Sequence, residues 1–227
     1  MASFVRTSRK IIGIGFNYAE HAKELNNALP KEPIFFLKPT SSYLANHGKV
    51  EIPRGCVVHH EVELGVVIGR QGRDIPASQA DSYVEGYALA IDMTARNIQD
   101  EAKKAGLPWT VAKGFDTFTP ISSFIPKSAI PDAHNINLWL KVNGIFRQNG
   151  STSDMVFQIP HLIQHISSIM ALEEGDLILT GTPSGVGPIS EGDKITAGIS
   201  LPASPLSTIA TLELDVINRI GGYEFTA

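Results

Sequence analysis

The chain has 227 residues, 43% of them hydrophobic and 19% charged, the make-up of an ordinary globular protein and not of a disordered or fibrous one. Its 19 basic and 23 acidic side chains are interspersed and leave a net charge of -4, so no basic stripe marks a nucleic-acid partner. No apolar run approaches a membrane span, and the single cysteine, Cys56, excludes an intrachain disulfide and favours a reducing compartment.

Residues 1–9 read as a short N-terminal extension; Arg6 and Arg9 with Ser3, Thr7, Ser8 and no acid give a weak mitochondrial-presequence pattern, and no secretory signal is present. The expected compartment is therefore the mitochondrion or the cytoplasm. A first strand follows at 11–15, then a helix over 18–27 with Asn17 as its N-cap, and a strand at 34–38. Long apolar strands are expected at 57–68 and 87–93, and an amphipathic helix at 96–105, stopped by Gly106 and Pro108. A strand at 138–142 runs through Asn143-Gly144, a type I′ turn signal, into 145–148. A helix over 159–170 carries Ile163, Ile166 and Ile169, and strands at 176–180 and 208–217 complete the pattern. Strands outnumber helices and do not alternate with them regularly. This predicts one β-rich α+β domain over 1–227 with a few flanking helices, and argues against a doubly wound sheet.

The chemistry concentrates in His59-His60-Glu61-Val62-Glu63-Leu64. On a strand, His59, Glu61 and Glu63 share one face while Val58, Val62 and Leu64 share the other. Two covered glutamates repel and lose hydration, a cost that a divalent cation offsets; a solvated edge face is the plainer alternative. Asp92 interrupts a second apolar strand. Glu61, Glu63 and Asp92 without a cysteine cluster suit a hard cation, Mg2+ before Ca2+ or Mn2+; the histidines could add imidazole ligands, although with three acids available hydrogen bonds to the ligands are the expected role.

His21 and Glu24 lie three apart on the predicted helix, a spacing that lets the carboxylate orient an imidazole base. Lys113 stands in an uncharged stretch, either to meet a substrate carboxylate or to snorkel outward. Arg96 and Gln99, one turn apart, can face the same pocket. Gly13-Ile14-Gly15 lacks the third glycine of a dinucleotide fingerprint, and the glycine-rich 180–187 stretch lacks the Gly-Lys-Ser/Thr of a P-loop. Its backbone N–H groups and the Thr182 hydroxyl can still approach a small anion; a plain tight turn reads equally well.

Six segments in order, Gly15-Phe16-Asn17-Tyr18-Ala19-Glu20-His21, Phe36-Leu37-Lys38-Pro39, His60-Glu61-Val62-Glu63-Leu64, Asp92-Met93-Thr94-Ala95-Arg96, Lys113-Gly114-Phe115-Asp116 and the 179–187 loop, resemble the fumarylacetoacetate hydrolase (FAH) family, in particular its short acylpyruvase and oxaloacetate decarboxylase members. The resemblance implies a mixed β-sandwich roll, a homodimer, and Mg2+ (Mn2+ as substitute) held at Glu61, Glu63 and Asp92. It implies that the helix bearing His21 and Glu24 closes over the site as a lid and brings the catalytic dyad. Lys113 and Thr182 match substrate-contacting positions, and Arg96 and Gln99 are further carry-overs. The extra N-terminal domain of long family members has no counterpart here, which counts against fumarylacetoacetate as substrate and leaves water or substrate to complete the metal octahedron. The expected activity is acylpyruvate C–C hydrolysis or oxaloacetate decarboxylation through a pyruvate enolate. Oxaloacetate keto–enol tautomerisation, a catechol-pathway isomerase or fumarylpyruvate-type hydrolase, and a non-catalytic oxo-acid binding protein are the rivals.

Overall fold

The computed structural model describes residues 4–24, 28–202 and 204–226. Among them, the largest sheet runs β2 (Ile34–Lys38), β1 (Ile11–Gly15), β13 (Leu177–Leu179), β6 (Val62–Ile68), β7 (Val84–Ile91), β9 (Thr119–Ile121), β3 (Tyr43–Ala45), with β10 (Ile125–Pro126) also on β7. A second sheet runs β12 (Ile145–Ser151), β11 (Asn137–Val142), β15 (Lys194–Leu201), β16 (Ser204–Asn218), β4 (Lys49–Ile52). A small third sheet joins β14 (Gly187–Pro188), β5 (Val58–His60) and β8 (Thr94–Ala95). Pairing is mixed: β1–β13, β3–β9 and β4–β16 are parallel and the rest antiparallel. The helices are α1 (Phe4–Thr7), α2 (Ala19–Glu24), α3 (Arg96–Ala105), α4 (Thr110–Lys113) and α5 (Ile159–Ser167), and none is long and apolar enough to cross a membrane.

The central strands are buried on both faces, which is why they read as unbroken apolar runs. Val62, Leu64, Val66 and Ile68 of β6 join Leu89 and Ile91 of β7 in the main core. That core also takes Leu138 and Leu140, Ile195 and Ile199, and Leu212 and Leu214 from the second sheet, so the two large sheets close as a sandwich. On the opposite face of the first sheet, Ile11, Tyr43, Val67, Ala88, Ala90, Leu177 and Leu179 cluster with Phe4 of α1. Within the expected N-terminal extension, Phe4–Thr7 form α1, and Phe4, 4% exposed, packs into this second core.

Local expectations hold where they rest on periodicity or turn chemistry. α3 has the expected bounds and ends at Gly106, whose φ of +66° is the left-handed cap that glycine allows. Asn143 and Gly144 both have positive φ (52° and 78°), the type I′ geometry between β11 and β12. Departures follow long-range hydrogen bonds. α5 stops at Ser167, not residue 170, because the Ser167 carbonyl and hydroxyl accept from Asp74 N (2.9 Å) and Ile75 N (2.9 Å); Ile169 is left exposed. The helix predicted over 18–27 is described over Ala19–Glu24, and residues 25–27 lie outside the described ones. Asn17 does not cap it. Its amide instead donates to Thr180 O (2.8 Å) and Phe157 O (3.0 Å) and accepts from Phe157 N (2.7 Å), tying the end of β1 to two distant loops.

Candidate active site

The predicted strand 57–68 is broken at Glu61. β5 pairs with β8 in the small sheet and β6 with β7 in the large one, so the chain changes sheets at that residue. The neighbouring chain makes the same change between β7 and β8, which takes Asp92 out of the strand predicted to reach residue 93. Asp92 N donates to Glu61 O (2.8 Å) and pins the two switches together. The corner turns both carboxylates inward, and Glu63, in β6, joins them. One oxygen from each lies within 4.8 Å of the others, and all three residues are buried.

Three cations surround these acids. Lys113 Nζ donates to Glu61 Oε2 (2.8 Å) and Asp92 Oδ2 (2.6 Å), so it is committed inward and does not snorkel. The Arg96 guanidinium bonds Glu61 Oε1 and Gln99 Oε1. Lys38 Nζ bonds Asp92 Oδ1 and Phe118 O (2.7 Å), and the residue is 2% exposed. Burial alone would raise the Glu61 carboxyl, but Lys113 and Arg96 outweigh it and hold the group below the usual range. Burial opposes the charge on Lys113 too, yet Asp92 and Glu61 raise its pKa above the ordinary value. For Lys38 burial prevails over Asp92, and the ammonium's pKa is lowered.

Glu63 differs from the other two acids. Gly181 N donates to its Oε2 (2.7 Å), and it makes no ion pair among the described residues. Burial, then Asp92 and Glu61, push its pKa well up. A buried carboxyl facing two others without a cation of its own is a group that a divalent ion would neutralise. An all-oxygen donor set also fits: in a ~2.1 Å octahedron neighbouring ligand oxygens lie roughly 3 Å apart and opposite ones roughly 4 Å. Neither histidine belongs to the cluster. His59 Nδ1 accepts from Arg96 Nε (3.4 Å), its pKa pushed down to about 4 by burial and then by Arg96. His60 Nδ1 is turned to Gln148 Oε1 (2.9 Å).

Across the cleft, His21 is 5% exposed with Nδ1 3.3 Å from Glu24 Oε2. Burial lowers its pKa, outweighing Glu61 and Glu24, so the ring is neutral at pH 7 and available as a base. Glu24 also accepts from Gly185 N (3.1 and 3.2 Å), tying α2 to the glycine-rich loop. Gly185 has φ +93°, and a Cβ there would meet Arg147 O at 1.9 Å. The Thr182 hydroxyl is already engaged, donating to Val62 O (2.8 Å) and accepting from Gln148 Nε2 (2.8 Å). Its backbone N–H has no acceptor among the described residues.

Seven of the nine sequence-predicted residues thus line one cleft, and the other two adjoin it: Glu24 against His21, and Asp92 against Lys113 and the other two acids. Phe16, Phe36 and Trp109 wall it, with Trp109 edge-on to Phe16 at a 5.9 Å centroid distance. Sequence reasoning did not single out Lys38, although a lysine closing an apolar strand before Pro39 was a readable sign. Nor did it find Gln148 or the aromatic wall, whose partners are distant in sequence.

The sequence model of the fumarylacetoacetate (FAA) hydrolase C-terminal region matches residues 10–217. The chain belongs to this family. It is 63% identical over 212 residues to the Arabidopsis thaliana protein named oxaloacetate tautomerase FAHD1, mitochondrial, covering 93% of this chain and 92% of that one. It is 59% identical to Dictyostelium discoideum oxaloacetate decarboxylase, mitochondrial, covering 88% and 93%. Among solved structures, the yeast FAH-family protein ynq8 superposes over the full length of both chains with a TM-score of 0.89 at 38% identity. A Burkholderia cenocepacia putative fumarylpyruvate hydrolase gives 0.83 at 37%, covering 94% and 86%. The β-rich mixed roll expected from the motifs is thus the fold, and the chain is a member of an enzyme family with an acid triad able to take a metal.

Proposed function

We propose that this chain is a Mg2+-dependent enzyme of small 2-oxo acids, with oxaloacetate its foremost substrate, turned over by keto–enol tautomerisation and decarboxylation. Acylpyruvate C–C hydrolysis is a further reaction of the same site. The observation that carries the reading is the placement of two unlike devices across one cleft: the buried acids Glu61, Glu63 and Asp92, and a neutral His21 oriented by Glu24. The names of the relatives at 63% and 59% identity support the choice of oxaloacetate and a mitochondrial location. The family resemblance supports a homodimer, which light scattering would check.

A cation held by Glu61, Glu63 and Asp92 would supply Lewis acidity to the 2-oxo group. Lys113 and Arg96, beside the acids, hold positive charge where enolate oxygen charge develops. Thr182 lines the cleft, and its main-chain N–H, without an acceptor among the described residues, would donate to a substrate carboxylate oxygen. For tautomerisation, His21 Nε2 takes or returns a proton at C3 while the oxygen at C2 gains or loses one. In decarboxylation the C3–C4 bond breaks, CO2 leaves, and C3 is reprotonated. In hydrolysis His21 takes a proton from water, the hydroxide adds to the distal carbonyl, and C3–C4 cleavage gives an acid and pyruvate. The aromatic wall excludes bulk water, as enolate chemistry requires.

Turnover of oxaloacetate tautomers, oxaloacetate itself, acetylpyruvate and fumarylpyruvate, with Mg2+ and with EDTA, tests the proposal. Mg2+-dependent loss of enol-oxaloacetate, abolished in Asp92→Ala, is expected. Full activity of Asp92→Ala in EDTA would overturn the metal assignment, and turnover of fumarylpyruvate alone would replace oxaloacetate with the catechol-pathway reading.

A further inference from the structure

α3 carries Arg96, Gln99 and Lys103 at intervals of three and four residues, which places them along one stripe of the helix. Arg96 and Gln99 line the cleft beside the acids. Lys103 is one turn on, about 6 Å further along the axis at 1.5 Å per residue. Its Nζ stands 5.2 Å from the ring centroid of Phe16 and 5.8 Å from that of Trp109, two side chains that wall the cleft. The stripe therefore runs from the acid cluster to an ammonium packed on the aromatic wall, next to the residues that line the cleft.

That ammonium is half-buried and makes no ion pair among the described residues. Its aromatic neighbours attract it but do not neutralise it. Deeper in, Lys38, Arg96 and Lys113 are all engaged in ion pairs with Glu61 and Asp92. Lys103 is the cation of this region without such a partner among the described residues, and a divalent cation would add two more positive charges. Burial and then Arg96 disfavour the ammonium, with Asp100 and Glu61 only partly compensating, so an incoming anion relieves a real repulsion. A monoanionic 2-oxo acid leaves most of this charge unmet, whereas a dianion meets it with a carboxylate at each end.

We infer that Lys103 is a specificity-determining residue that pairs with the distal carboxylate of a dicarboxylic 2-oxo acid. This rests on the 2-oxo acid reading above and narrows it: the inner groups read the 2-oxo acid head, and Lys103 tells oxaloacetate from acetylpyruvate, which has a methyl ketone at that end. Its positive charge also draws a dianion in faster at low salt.

The test compares wild type, Lys103→Met and Lys103→Arg, all Mg2+-loaded, on oxaloacetate and acetylpyruvate. A calorimetric measurement of non-reacting malate against lactate gives a second readout independent of turnover. Lys103→Met should lower the ratio of kcat/KM for oxaloacetate over acetylpyruvate about tenfold, chiefly through KM, and the malate-to-lactate affinity ratio by a similar factor, the size of one charge-assisted hydrogen bond. Lys103→Arg should restore most of both ratios. If both ratios persist in Lys103→Met, or if both substrates fall together with the melting temperature, Lys103 only braces the aromatic wall and the inference is overturned. If wild type turns over neither substrate, it is the broader 2-oxo acid proposal that fails.

Discussion

Replacing Lys38 with methionine keeps the length of a fully buried side chain while removing its charge. Three contacts vanish: the ion pair with Asp92 Oδ1, the hydrogen bond to Phe118 O (2.7 Å) and a longer one to Met93 O (3.4 Å). Because the swap nearly conserves volume, packing should contribute little beyond ~1 kcal/mol. Breaking a buried ion pair from one side costs about 3–5 kcal/mol where the remaining charge is left alone; Lys113 still pairs with Asp92 Oδ2, so the lower end, about 3 kcal/mol, is expected. A lysine that merely reached the surface would cost under ~1 kcal/mol. Urea denaturation of both proteins in EDTA near pH 7 reads the difference as a shift in midpoint at constant slope. Saturating Mg2+ should then narrow the deficit, because the ion and the ammonium neutralise the same Asp92. A deficit below ~1 kcal/mol in EDTA would refute the burial argument. A deficit that widens with Mg2+ would refute the idea that cation and lysine share that carboxylate.

Other outcomes follow from the same geometry. The base form of His21 is the neutral one and its pKa is lowered, so kcat/KM for acylpyruvate hydrolysis should rise with pH through a limb below 6.5 and be flat above it. Glu24 raises that pKa, so Glu24→Gln should move the limb to lower pH; an unmoved limb would separate the dyad. Gly185→Ala places a methyl 1.9 Å from Arg147 O at a left-handed φ and should cost at least ~2 kcal/mol while raising KM, read by melting and kinetics together. Phe4→Ala should cost about 3 kcal/mol in chemical denaturation if α1 seals the second core, and under ~0.5 kcal/mol if residues 1–9 are only an extension.

Much of the site was legible because its residue types are costly anywhere else. Glu61, Glu63 and Asp92 stood out as charges in apolar runs, and all three are buried. α3 and the Asn143-Gly144 turn were legible because periodicity and turn chemistry are local. Neither kind of signal reaches the break at Glu61. That break exists because β5 and β6 pair in different sheets, a fact about partners rather than about the strand's own sequence. The same holds for Asn17, read as a cap although its bonds run to Phe157 and Thr180, and for the end of α5, set by Asp74 and Ile75. The partners of Lys38, Asp92 and Phe118, are far along the chain, so its sequence neighbours do not reveal them.

The contact between Gly185 N and Glu24 spans 161 residues, and that between Gly181 N and Glu63 spans 118. β1 enters the large sheet only by lying parallel to β13, near the other end of the chain. Pairings of such long reach close slowly, since loop entropy must be spent before the contact forms. A ribosome-bound chain therefore carries the acids, the lysines and the helix of the dyad well before the strand and loop that hold them together exist. Such a nascent chain should show neither tight metal capture nor premature chemistry until the segment up to about Gly187 has emerged, so activity appears in one late step of folding and not by increments.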